Sequence, residues 1–168
     1  MLRVVLVPID ARLAEALEAG PEAFAARMGP RLGEVADLAA QAVRRSLALP
    51  AARPPRWGGF LAMSPATAGI VGACALIGPP ETADGMVEMT VWTFPPFERR
   101  GFATAMAAGL MARAKDAPEV RRVIAHTPPG ETPSARILRG LGLDQVGESA
   151  GPDGRPAWRW EWVRTTFA

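Results

Sequence analysis

Glu88 and His126 are the two side chains best suited to moving a proton. Glu88 stands in a β-rich stretch, residues 87–94, built of Val, Thr, Trp and Phe around it. His126, the single histidine, closes a second strand-like run, residues 120–127. A carboxylate in a partly buried cleft takes up a proton more readily than one in water, and an imidazole titrates near neutrality. Each also has a plain structural use: a strand glutamate paired with an arginine, or a histidine capping a strand end. The two are therefore alternative candidates for a general base. Ser134 offers a hydroxyl that could return a proton, although it also suits the first turn of a helix. Cys74, the one cysteine, sits inside an apolar run and reads as a small core residue rather than a nucleophile. One cysteine and one histidine leave no ligand set for a structural zinc site, so no metal is expected.

A second kind of chemistry belongs to the backbone at Arg99-Arg100-Gly101-Phe102-Ala103-Thr104. Pro95 and Pro96 end the preceding strand because they cannot donate to a ladder. Beyond the turn, Phe102, Met106 and Leu110 recur on one face of a helix. The first amides of such a helix lack intrahelical partners, its dipole favours negative charge, and glycine lets an anion approach the backbone. Two arginines just before it add to a cradle suited to phosphate.

The elements that must position these groups can be read in order. Residues 2–7 form a short strand. Asp10 is placed to cap a helix carrying Leu13 and Leu17. Gly20-Pro21 opens a second helix with Phe24 and Met28, and Gly29-Pro30 breaks it. Leu32, Val35, Ala39, Val43 and Leu47 mark the buried face of a longer helix. A Pro/Arg loop at 50–56 precedes a hairpin of residues 57–63 and 69–78, and a loop at 79–85 leads to the strand of Glu88. After the strand of His126, Thr132 and Pro133 read as the N-cap and first position of a short helix over 134–141, ended by Gly142. Strands 143–148 and 157–163 close the chain around the turn Gly151-Pro152-Asp153-Gly154. Trp158, Trp160 and Trp162 share one face of the last strand, on the core or at a contact between two copies, which leaves a homodimer open.

This order, with two motifs on the right elements, resembles the GNAT acetyltransferases along almost the whole chain. It is closest in pattern to the ribosomal-protein-alanine acetyltransferases. The turn looks like the family's Gln/Arg-x-x-Gly-x-Gly/Ala loop, with Gly101 and Ala103 at the last two marked positions and Glu98 departing at the first. Residues 134–143, SARILRGLGL, look like the family's Ser-x-x-x-Leu-x-x-Leu-Gly-Phe helix, with Glu131 where an asparagine usually stands.

The resemblance implies an α/β (α+β) GNAT fold: a mixed, mostly antiparallel sheet of about seven strands flanked by helices, as one domain over residues 1–168. It implies two parallel strands that splay apart at an acetyl-CoA site. The amides of Arg100, Gly101, Phe102, Ala103 and Thr104, with the charge of Arg99, would hold the pyrophosphate. Val91, Trp92 and Thr93 would bond the pantetheine arm, and Glu131, Ser134 and Leu138 would lie along it. The activity implied is acetyl transfer from acetyl-CoA directly to a primary amine, with no metal and no covalent enzyme intermediate. Many family members protonate the leaving thiolate with a tyrosine. The matching position is Leu138, and the chain contains no tyrosine.

Composition narrows the field. A net charge of +2 makes no case for nucleic acid, and no apolar run approaches a membrane span, so a cytoplasmic protein is expected. Little identifies the acceptor. Trp57 and Trp92 are expected to flank the cleft, and Arg53 and Arg56 would attract an acidic substrate or simply be solvated. Two further readings stay open: a non-catalytic acyl-CoA-binding module, motivated by Glu98, Glu131 and the missing tyrosine, and an interaction protein built on the tryptophan strand.

Overall fold

The computed structural model describes residues 2–49, 52–80 and 84–165. Parts of the expected loops at 50–56 and 79–85, namely residues 50, 51 and 81–83, lie outside the described residues, as do residue 1 and residues 166–168.

Seven strands form one sheet in the order β1-β2-β3-β4-β5-β7-β6. They are β1 (Val5–Pro8), β2 (Gly58–Ser64), β3 (Gly69–Ile77), β4 (Met86–Thr93), β5 (Arg122–Thr127), β6 (Asp144–Ala150) and β7 (Pro156–Val163). Every neighbouring pair is antiparallel except β4 and β5. Among the described residues five α-helices flank the sheet: α1 (Ala11–Glu18), α2 (Pro21–Met28), α3 (Ala36–Leu47), α4 (Phe102–Asp116) and α5 (Pro133–Gly140). This is the mixed α/β sheet expected from the sequence.

The helix ends follow their capping chemistry. The Asp10 carboxylate accepts the Leu13 amide at 2.8 Å, and the Thr132 hydroxyl accepts the Ala135 amide at 3.1 Å. Pro21 and Pro133 occupy first turns, where a missing N–H costs nothing.

Two apolar clusters sandwich the sheet. Val87 and Met89 of β4, Val123 and Ala125 of β5 and Trp160 of β7 pack with Met106, Leu110, Ala135 and Leu138 of α4 and α5. Leu61, Ile70 and Ala73 pack with Leu13, Phe24, Ala39 and Val43 of α1–α3 on the other side. Leu47 departs from the expected helical face: it is the last residue of α3 and is 56% exposed. Gly72 of β3 permits the close approach of α4. A Cβ there would meet the Trp92 carbonyl at 2.5 Å and Met106 Cε at 2.9 Å. Among the described residues, no helix is long and apolar enough to cross a membrane.

Candidate active site

The site begins where the sheet stops being a sheet. β4 pairs with β5 only through Met86 with Arg122, Val87 with Val123 and Glu88 with Ile124. Yet β4 runs on to Thr93 and β5 to Thr127. Their outer edges stay fully paired, β4 with β3 up to Thr93 and β5 with β7 up to Thr127. Beyond Glu88 the two strands therefore diverge, and the β5-facing edge of β4 has no ladder partner. The wedge opens into a cavity of about 580 Å³. Val91, Trp92 and Thr93 line it on one side, Ala125, His126 and Thr127 on the other. The Thr93 hydroxyl is buried without a hydrogen-bond partner, a polar group that a ligand in the wedge would satisfy.

The mouth is closed by the turn before α4. Gly101 caps the helix at φ 89°, and Arg99 also has positive φ, at 61°, where a non-glycine residue is strained. The first intrahelical bond here is that of the Ala105 amide to the Gly101 carbonyl at 3.1 Å, which leaves the amides of Phe102, Ala103 and Thr104 ahead of the helical ladder. Glu98, Arg99, Gly101, Phe102, Ala103 and Thr104 all line the cavity. Arg100 does not: its guanidinium lies over the Phe97 ring, 5.8 Å from the centroid.

On the third side stands α5. Ser134 and Leu138 line the cavity, Leu138 buried and apolar where a hydroxyl donor would be useful. Glu131 is not part of the lining. Both its carboxylate oxygens are taken by the Arg139 fork, at 2.7 and 2.8 Å. That hydrogen bonding holds its carboxyl below the usual range.

The two candidate bases turn out to be neighbours. Glu88 lies between Val87 and Met89, which face α4, so its side chain projects to the other face of the sheet. His126 alternates in the same way with Ala125 and Thr127. His126 Nδ1 and Glu88 Oε1 are 3.2 Å apart at the fork of the two strands, with side chains 16% and 26% exposed. On the opposite face of the sheet, the Trp160 indole donates to the Thr127 hydroxyl at 2.9 Å, tying the end of β5 to β7.

Other expected contributors lie elsewhere. Trp57 is 5% exposed in the core and borders a separate small hollow with Arg56, Arg113 and Asp116, so only Trp92 of the two flanks the cleft. Arg56 pairs with Glu119 at 2.9 Å. Cys74 is buried in β3 under α4, and burial pushes its thiol up to about 12, which removes it as a nucleophile. Among the described residues no group of three potential ligands could hold a metal ion. Pro133, Ile137 and Pro152 also line the cavity. Pro152 reaches it from the β6–β7 turn, which the sequence marks as a turn, through a long-range placement.

Comparison with known proteins agrees with this architecture. Solved structures align over nearly the full chain at low identity. One is a GNAT-family acetyltransferase from Bacillus anthracis (14% identity, TM-score 0.63, 96% of this chain and 95% of that one). Another is the spermidine/spermine N-acetyltransferase SpeG from Vibrio cholerae (11%, TM-score 0.61, 96% and 92%). A third is a ribosomal-protein alpha-N-acetyltransferase solved in complex with coenzyme A (13%, TM-score 0.65, 96% and 94%). No curated protein sequence matches significantly. The sequence model of the GNAT acetyltransferase domain matches residues 3–144. With that match and the wedge between β4 and β5, the chain belongs to the GNAT acetyltransferase family, whose members use acetyl-CoA to acetylate an amine.

Proposed function

We propose that the protein moves an acetyl group from acetyl-CoA to a primary amine, with Glu88 and His126 acting as one proton-accepting pair. The 3.2 Å contact between them at the wall of the cavity carries this reading. The positive-φ turn, the unpaired β4 edge and the unpartnered Thr93 hydroxyl fit the cosubstrate. The amides of Gly101, Phe102, Ala103 and Thr104 would hold its pyrophosphate. The edge of β4 at Val91, Trp92 and Thr93 would hold its pantetheine arm, with Ser134 and Leu138 along the far wall.

When bound, acetyl-CoA supplies an acyl group activated as a thioester. The remaining work falls to the protein. An amine reaches the site mostly as ammonium and must lose a proton before it can attack. With the proton on Nδ1 donated to Glu88, His126 keeps the Nε2 lone pair free to take the amine's proton. The Glu88 charge then stabilises the imidazolium that results. Backbone amides of residues 91–93 would polarise the thioester carbonyl. Leu138 cannot donate, so Ser134 or water supplies the proton to the leaving sulfur. One sheet gathers every described strand, which supports reading the chain as one domain.

The test is thiol release from acetyl-CoA over a panel of amines, repeated with Glu88→Gln and His126→Ala. We expect His126→Ala to lower kcat/KM by about 10²–10⁴-fold, the range of a lost general base. Glu88→Gln keeps a hydrogen-bond acceptor but removes its charge, so a smaller loss is expected. Unchanged turnover in both variants would reject the pair. Binding of acetyl-CoA without release to any amine would instead favour a non-catalytic acyl-CoA module.

A further inference from the structure

We propose that the acceptor amine carries a carboxylate, and that Arg159 holds it on the open face of the sheet beside Glu88 and His126. This rests on the acetyl-transfer reading and adds the chemistry of the acceptor. Arg159 of β7 is the cross-strand partner of His126, and such partners project to the same face. It is half-buried. Its Nη2 reaches back to Met86 Sδ at 3.9 Å, a weak acceptor for a group with five N–H donors.

No ion pair among the described residues involves Arg159. Glu148 of β6 is opposite Trp158 in register and so belongs to the other face, and the carboxylates nearest on the face of Arg159 are committed elsewhere. Glu161 pairs with Arg122 at 3.1 Å, and Glu88 faces His126. Asp144 is opposite Glu161 in register, beyond this group. A planar guanidinium with free donors matches a carboxylate bidentately. Met86 and Glu88 are two residues apart on one face of β4, roughly 7 Å. A carboxylate held near Met86 is therefore within a small molecule's length of the proton-accepting pair.

The other margin is also basic. Arg45 of α3 lies 4.9 Å over the Trp92 ring, and it too has no ion pair among the described residues. Trp92 itself lines the cavity. A polyamine would find arginines on both margins, so an amino acid or another small amino-carboxylate is the favoured class.

The experiment compares thiol release with free amino acids, the primary amides of the same amino acids, and spermidine. Wild-type protein should favour the acid over its amide about tenfold or more in kcat/KM, mainly through KM. Amino-acid amides have the more readily deprotonated amine, so this preference runs against intrinsic reactivity. Arg159→Gln should collapse the ratio towards one, and Arg159→Lys should restore part of it. Equal use of acid and amide, preference for spermidine, or an equal loss on both substrates in Arg159→Gln overturns the proposal. A second readout is the thermal shift given by N-acetylated amino acids and their amides in the presence of CoA. Stabilisation by the acids alone, lost in Arg159→Gln, supports the proposal even where turnover is slow, and no discrimination overturns it. Failure of the acetyl-transfer reading is separable, because it appears as absent stabilisation by acetyl-CoA and CoA themselves.

Discussion

Glu88 and His126 are 38 positions apart, and the sequence offers them as rivals because alternation assigns each a face but not a register. The β4–β5 pairing supplies the register and brings their side chains to 3.2 Å. A residue-scale consequence of a different sort concerns Cys74. Its thiol keeps its proton in the fold to about pH 12, against 9.0 ordinarily, because burial outweighs the nearby Arg113 charge. An unfolded chain releases that proton near pH 9, so above this value the unfolded state binds fewer protons and stability falls as pH rises. The decline should run from about pH 9 towards 12. There is no tyrosine, and Lys115 is the single lysine, so few other side chains titrate in that window. Melting temperature measured between pH 8 and 11 should fall more steeply in wild type than in Cys74→Ala. Equal slopes would show that the buried thiol does not govern alkaline stability.

At the scale of elements, local chemistry predicted most of what is seen. Asp10, Pro21, Thr132 and Pro133 mark helix starts with groups that act on the next few amides, so sequence suffices to place them. What it could not show is how an element end meets a distant one. Glu131 occupies its family position, yet Arg139 two turns later takes its carboxylate away from the cavity. Arg100 stands in the motif, but its side chain turns to Phe97. Arg159 carries no local signal at all, since only the pairing of β7 with β5 sets it beside His126. α5 offers a test of how much its cap contributes. Thr132→Ala removes the acceptor of the Ala135 amide and should cost about 1 kcal/mol in denaturant unfolding, with Thr132→Asp retaining most of it. Because α5 presents Ser134 and Leu138 to the cavity, the alanine variant should also raise KM for acetyl-CoA. A variant with undiminished stability would mean that packing of Ala135 and Leu138 alone fixes the helix.

The molecule as a whole is a continuous sheet with one internal parting, and that parting divides the backbone of β4 into two regimes. From Met86 to Glu88 the strand is laddered to β5, and at Glu88 it is laddered to β3 as well. From Met89 to Thr93 only the β3 edge is laddered. The amides that point into the wedge have no hydrogen bond that must break before they meet solvent. Hydrogen–deuterium exchange should therefore find a sharp change of protection within a single eight-residue strand. Addition of CoA should slow the unprotected amides and leave their laddered neighbours unchanged, making the ligand a temporary strand of the sheet. Uniform protection along β4 without ligand would contradict this. On the proposed function, the central strand of the sheet would be the one whose hydrogen bonding the cosubstrate completes.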